Sequence, residues 1–402
     1  MSNQLYRIVV LVGDGIYPDI ATCYLASQLR SVGVKVCRIH GLSSLEYETT
    51  IDVDHSIHGL NEELGIHFPE LMSSGIFIPK LVTSCSFPGR NAYFESYPYL
   101  KDDLPLPSYQ AMARLIQEGV ATQWESASPV VALAKAGKFH PELHQFYRGN
   151  VRPYGASINA REYSKILNTR SLSLGVDFLN VSKIDVDAVP DKQHISAVHL
   201  AANKVLRDAF FIDMTPERCL IDFIDRPGVA NVEQNDLGYS SHPWVGNCLA
   251  IGDSAITFIS KPEPLNPFEW LFKALVRFVD FFPSPARQIV LAREYNRLQE
   301  IDCMAILDFI QGYCLMVSGK TGEPLPARLQ HRINLFAESC QLSEDAADWA
   351  YASYWPTLLQ VAGITPRYLP RRVQEIPLKY LMNWYNQRLY NIDHLLSRSH
   401  NL

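Results

Sequence analysis

The chain has 402 residues, 47% of them hydrophobic and 19% charged, with a formal net charge of −6. That size and apolar content allow a large core in two or three subdomains, while the acidic balance excludes a nucleic-acid binder relying on a basic stripe. No apolar run approaches the ~20 residues that cross a bilayer, so neither a membrane nor a nucleic acid is an expected partner.

Eight scattered cysteines without a C-x-x-C pair fit neither a disulfide scaffold nor a zinc site. With no leader-like segment ahead of the first apolar run, the expected compartment is the cytoplasm.

Residues 5–12, rich in Ile and Val, read as a strand buried on both faces. The turn Gly13-Asp14-Gly15-Ile16-Tyr17-Pro18 follows, then a helical pattern closing at Gly33, then a second strand "VKVCRI". This opens a doubly wound α/β fold. The glycine turn matches G-x-G-x-x-G except at its last position, where Pro18 stands. Proline suits a first helical turn, where its missing N–H costs nothing, yet it adds bulk where helix and strand approach.

Residues 41–150 are irregular. Asn159 with Glu162 makes a capping-box start to a helix closed by Gly175. Strand-like segments follow over 176–215, and "NCLAIGDSA" is a further buried strand ending in Gly252-Asp253. From Asn266 the chain reads as helical, broken near 323–326 and 365–370. The expected domains are 1–265, interrupted by insertions at 41–150 and 176–205, and a helical region 266–402. His140 and His144 sit four apart in "FHPELHQF" and read as solvated; "HSIH" at 55–58 is a weaker pair of the same kind.

Five stretches together resemble the flavin-dependent tryptophan halogenases. They are the Gly13–Pro18 turn, "FIPKLV" at 77–82, "SINAREYSKIL" through "GVDFL", "FIDMTPERCLI" at 211–221, and "NCLAIGDSA…PEPLNPFEWL" at 247–271, with "REYN" at 293–296 also fitting. The resemblance implies a doubly wound FAD-binding domain with an inserted antiparallel sheet and a helical C-terminal region. It implies FAD as cofactor, a separate flavin reductase and an aromatic substrate, tryptophan or indole-like; it leaves room for a homodimer.

By similarity Lys80 takes the place of the lysine that delivers electrophilic halogen, and Glu263 that of the second active-site residue. The implied cofactor residues are Gly13, Gly15, Pro18, Gly252 and Asp253, with Arg38 at the position of the carboxylate that meets the adenosine ribose. Arginine is donor-only, and Glu46 or Glu48 is the alternative acceptor. Each lost charged hydrogen bond is worth ~1.5–3 kcal/mol, so the expectation is weak FAD binding that Pro18→Gly with Arg38→Glu tightens.

The chain also departs from the family. Asn266-Pro267-Phe268 replaces a Ser-Thr-Gly stretch, and the W-x-W-x-I-P motif is absent between Ile221 and Trp244. Residues 222–246 are polar and turn-rich, which predicts a surface connection without a sheet. Two other readings therefore stand beside halogenation: a flavin monooxygenase that hydroxylates an aromatic directly, and a degenerate relative that only binds a partner.

Overall fold

Strand β1 (Ile8–Val12) buries Val9 through Val12 completely, as the middle of a parallel sheet covered on both faces requires. The computed structural model describes residues 5–42, 49–87, 89–95, 104–189, 193–200, 204–224, 231–234, 237–258, 263–318, 325–342 and 354–401. They divide into two compact units. One comprises Met1–Ile78, Ser157–Lys261 and Asn266–Cys303; the other comprises Pro79–Ala156, Pro262–Leu265 and Met304–Leu402.

The first unit is built on a six-stranded sheet in the order Trp244–Val245, Cys248–Ala250, Phe210–Asp213, β1, β2 (Lys35–His40), Asp177–Asn180. Every neighbouring pair is parallel except the edge strand Trp244–Val245. Helix α1 (Ile16–Leu29) packs against helices Ala160–Ser173 and Pro267–Asp280. Asn159 caps the first of these, its side chain accepting from the Glu162 N–H at 3.2 Å. The expected antiparallel insertion is present as Ile184–Val189, His194–Leu200 and Val205–Arg207, whereas Asp177–Asn180 joins the parallel sheet beside β2.

The segment expected to be a bare connection is not one. Asn231–Gln234 pairs antiparallel with Leu237–Ser240, which pairs in turn with Ile256–Phe258. A polar, turn-rich stretch makes a hairpin when its turn is short and a further strand gives it a partner, and composition alone does not reveal that partner.

The second unit contains the antiparallel pair Val82–Phe87 and Arg90–Glu95 and helices Ser108–Gln117, Pro129–Lys135 and Leu378–Arg398. Leu106, Met112, Leu115, Val373 and Leu381 form one of its cores. The Arg114 guanidinium donates to the carbonyls of Val373 and Ile376 at 2.5 and 2.6 Å, tying the Ser108–Gln117 helix to the chain after residue 370. His140, read as solvated, is buried: its Nδ1 accepts from the Glu142 N–H at 3.2 Å and caps the short helix Pro141–Phe146. Among the described residues no helix is long and apolar enough to cross a membrane, and no group of three or more His, Cys, Asp or Glu could hold a metal.

Candidate functional site

The turn after β1 is set by two glycines with different tasks. Gly13 has φ +152°, and a Cβ there would stand 3.1 Å from the Cβ and carbonyl oxygen of Met214. Only glycine lets the turn lie so close to the end of strand Phe210–Asp213. Gly15, at φ +102°, begins α1, and a Cβ there would meet nothing within 4 Å. That backbone conformation is close to glycine-only, and the space beside it is open. Asp14, between them, accepts from the N–H groups of Gly41 and Leu42 at 2.7 and 3.0 Å, which fixes the turn to the end of β2.

Facing this turn is a second one. Gly252 (φ +65°) and Asp253 follow strand Cys248–Ala250 in a short 3-10 turn. Beside them, the buried Asp213 carboxylate accepts from the Thr215 N–H and hydroxyl and from the N–H groups of Leu220 and Ile221. Burial raises the Asp213 carboxyl above its ordinary range against those donors, and the bonds hold Met214–Glu217 in place. A cavity of about 370 Å³ lies among Gly15–Pro18, Met214–Glu217, Gly252, Asp253 and the helical residues Trp270, Tyr295 and Gln299. That is the size of a small-molecule site. It brings Gly15, Pro18, Gly252 and Asp253 to one place; Gly13 stands behind the turn, against Met214.

Glycine backbone open to the cavity, the first turn of a 14-residue helix and an exposed carboxylate together fit a dinucleotide such as FAD. Pro18 lies in that first turn and fills part of the wall, and its carbonyl accepts from the Thr22 hydroxyl at 2.7 Å.

Arg38 is not where the sequence reading put it. It lies inside β2, two residues before its end, opposite Leu11 and Phe178, and is only 1% exposed. Its guanidinium is 3.6 Å from the carboxylate of Asp19 in α1, which also accepts from the Ser164 hydroxyl. Arg38 is therefore part of the helix–sheet interior and does not line the cavity. An alternating strand pattern makes this intelligible: side chains at 36, 38 and 40 share a face, and that face is covered by α1. Glu46 and Glu48 lie outside the described residues.

Lys80 and Glu263 both belong to the second unit. Lys80 ends strand Phe77–Lys80 and is half-buried; Glu263 is exposed. The charges of both act on Cys85, which is 1% exposed in strand Val82–Phe87. Burial pushes the Cys85 thiol up to about 12, with Glu263 adding to the rise and Tyr313 and the charge of Lys80 opposing it. Tyr313 packs edge-on against Phe87, ring centres 5.4 Å apart, and near Phe309 at 6.4 Å. Phe309 in turn meets Tyr354 and Trp355, each at 5.7 Å. An aromatic cluster thus runs from Phe87 through Tyr313 and Phe309 to Tyr354 and Trp355.

Sequence reasoning missed Cys85 and Tyr313, and only the alternation of "VTSCSF" hinted that Cys85 faces inward with Phe87. It quoted "REYN" without assigning roles. Tyr295 lines the cavity, and the Asn296 amide accepts from the Trp244 N–H at 2.9 Å and donates to the Trp244 carbonyl at 3.0 Å, holding the sheet's edge strand. Also unforeseen is the cluster behind the cavity wall, where Asp302 receives Lys273 at 2.6 Å and Arg277 at 2.5 Å.

A family model described as tryptophan halogenase matches residues 8–222 and 230–377. Tryptophan 7-halogenase RebH from Lentzea aerocolonigenes is 28% identical over 127 residues, which are 29% of this chain and 23% of that protein, so the match spans about a quarter of that curated relative. The structure of BrvH, a flavin-dependent halogenase from Brevundimonas sp. BAL3, superposes with a TM-score of 0.83 at 17% identity, covering 100% of this chain and 98% of that one. The tryptophan 6-halogenase SttH from Streptomyces toxytricini gives 0.80 at 17% identity, with 98% of each chain covered. At such identities the likeness establishes a common fold.

Proposed function

The chain belongs to the tryptophan halogenase family, a group of flavin-dependent enzymes, and from that premise we propose that it halogenates an electron-rich aromatic substrate of the tryptophan or indole type. What supports this reading is that Lys80 and Glu263, far apart in sequence, belong to the same unit and both act on the charge state of one buried thiol, Cys85. A lysine amine is the nucleophile that captures electrophilic halogen, and a carboxylate beside it accepts the proton that leaves the substituted ring carbon. The aromatic cluster of Phe87, Phe309 and Tyr313 offers the surface on which a flat apolar ring is held.

FAD is the cofactor of this reading, held by the N-terminal turn of α1 at Gly15, Ile16 and Tyr17 and by Gly252 and Asp253. When bound and reduced by a separate reductase, FAD would supply the oxidising power, drawn from oxygen. Lys80 then positions the halogen and Glu263 moves the proton.

One observation favours direct hydroxylation as a second reading. At the start of helix Pro267–Asp280, Pro267 has no N–H, and the Asn266 side chain takes the Phe268 N–H at 3.0 Å. Two donors that a helix N-terminus could offer a halide are thereby lost.

The test supplies purified protein with FAD, a flavin reductase, nicotinamide reductant and tryptophan or indole, with and without bromide, and reads products by mass. Brominated product, lost in Lys80→Ala while FAD binding persists, supports halogenation. Hydroxylated product independent of bromide overturns it in favour of the second reading. Flavin reoxidation with no new aromatic product overturns both.

A further inference from the structure

We infer that Gln299 is a hydrogen-bond donor to the cofactor, its amide oriented by Arg277 and the buried Asp302 so that an N–H, and not its carbonyl, is offered to the cavity. This rests on the reading of that cavity as the FAD site. Gln299 lies on helix Gln288–Ser318 and lines the cavity while only 5% exposed. Whichever end of its amide faces the ligand therefore selects what the ligand must present there.

The orientation follows from a chain of hydrogen bonds within the first unit. Asp302, 3% exposed, accepts from Lys273 on one carboxylate oxygen at 2.6 Å and from Arg277 on the other at 2.5 Å. The Arg277 guanidinium is further held 5.5 Å from the ring centre of Tyr295, whose ring also lines the cavity. Its other terminal nitrogen donates to the Gln299 side-chain carbonyl at 3.1 Å. Arginine has five N–H donors and no acceptor, so it admits only the oxygen end of the glutamine amide. The nitrogen end is turned away.

Among the described residues that nitrogen meets only the Cys303 sulfur, at 3.9 Å. Burial holds Cys303 as a thiol, a weak acceptor. A glutamine nitrogen carries two N–H groups, which leaves one for the cavity. A cation donating to the carbonyl draws electron density from the amide nitrogen and makes that N–H a stronger donor. In so closed a place it is costly until a ligand oxygen meets it. The cavity wall thus asks for an acceptor, and Arg277 and Asp302 are the positioning residues that make it ask.

The test is the FAD affinity of the full-length protein, read by flavin fluorescence quenching, in Gln299→Met and Gln299→Glu. Methionine keeps the length and removes the donor. Glutamate keeps the shape and bonds Arg277 more strongly, but brings a second acceptor where the N–H stood. A donor role gives affinity in the order wild type, Gln299→Met, Gln299→Glu, with losses of about 10-fold and about 100-fold. If Gln299 only supports Arg277, the glutamate variant binds FAD like the wild type and the methionine variant does not. That order overturns the inference, as does equal affinity in all three proteins.

The positioning role is read from a double-mutant cycle. Arg277→Met frees the amide to turn, so it should weaken FAD about threefold beside Gln299 and leave affinity unchanged in the Gln299→Met background. An equal effect in both backgrounds overturns it. A wild type that binds no FAD fails the cofactor reading and the inference with it, a different result from bound FAD with the wrong order. These titrations need no turnover, so their outcome is separate from whether bromide is incorporated.

Discussion

In the first unit the cavity wall proposed to meet a cofactor includes the backbone of Gly15 and Gly252, at φ +102° and +65°. In the second unit the proposed chemistry rests on side chains, Lys80 at a strand end and Glu263 outside any regular element. A backbone site needs glycine at a few fixed places and tolerates change elsewhere, which fits a fold shared at TM-scores near 0.8 with only 17% identity. A side-chain site tolerates little, because each group must be of one chemical type and point one way. The contrast predicts different failures. Changes around the cradle should weaken binding or the fold, and changes around Lys80 should remove chemistry while leaving both intact.

The largest effect should come from Lys80→Ala. Removing a group that acts on the reacting atoms costs on the order of 10²–10⁴-fold in rate, so bromination by mass analysis should fall to background. FAD affinity, read by fluorescence quenching, should stay within about twofold. A matching loss of FAD binding would collapse the distinction between the two regions.

The next effect tests the interior beneath the cradle. Arg38→Met leaves the Asp19 carboxylate buried without its cation, which costs ~3–5 kcal/mol. Thermal unfolding should shift down by roughly 6–20 °C, taking ~2–4 °C per kcal/mol. The double change Arg38→Met with Asp19→Leu should recover most of that, because a buried pair replaced by apolar groups is near neutral. Arg38→Glu, which the sequence suggested as a way to tighten FAD, would set two buried carboxylates together and should destabilise the protein without improving affinity.

Gly15→Ala comes third. The new methyl enters the open cradle, and alanine must adopt a positive φ at a cost of about 1–2 kcal/mol. FAD affinity should weaken about tenfold, with product ratios unchanged at saturating FAD. Equal affinity in wild type and Gly15→Ala would mean the cofactor does not approach this turn.

The same contrast explains how much could be read from the sequence. The two turns were legible because glycine after an apolar strand records backbone geometry within one short window; the turns at Gly13–Gly15 and Gly252-Asp253 were read this way, their cofactor role through the resemblance. Arg38 was taken for the strand-end position although it lies two residues inside the end of β2, and the burial of a charge against Asp19 depends on a helix that a local window does not contain. Lys80 and Glu263 emerged only through resemblance. Beyond the alternation of "VTSCSF", nothing local in the sequence marks Cys85, and the packing of Tyr313 against Phe87 is a property of the folded chain. The hairpin at 231–240 was missed for a related reason, as its partner strand lies beyond the segment that looked polar.

The smallest effect concerns a titrating group in the second unit. Glu95 ends strand Arg90–Glu95 and its carboxylate accepts from the Tyr147 hydroxyl at 3.3 Å. Burial pushes its pKa up to about 7, with hydrogen bonds from Ser128 and Tyr147 opposing the rise. A carboxyl raised in the folded state holds its proton there after the unfolded chain has released it. Between the ordinary glutamate value of about 4.3 and about 7, the folded protein therefore binds more protons than the unfolded one. Stability contributed by this group falls as pH rises through that window and is level above it. Glu95→Gln keeps a neutral acceptor for Tyr147 at every pH. Its melting temperature should track the wild type near pH 4.5 and exceed it by a few degrees at pH 8, with the difference opening between those values. Calorimetric melts of the two proteins across pH 4.5–8 check this; parallel curves would show that Glu95 ionises as it does in the unfolded chain.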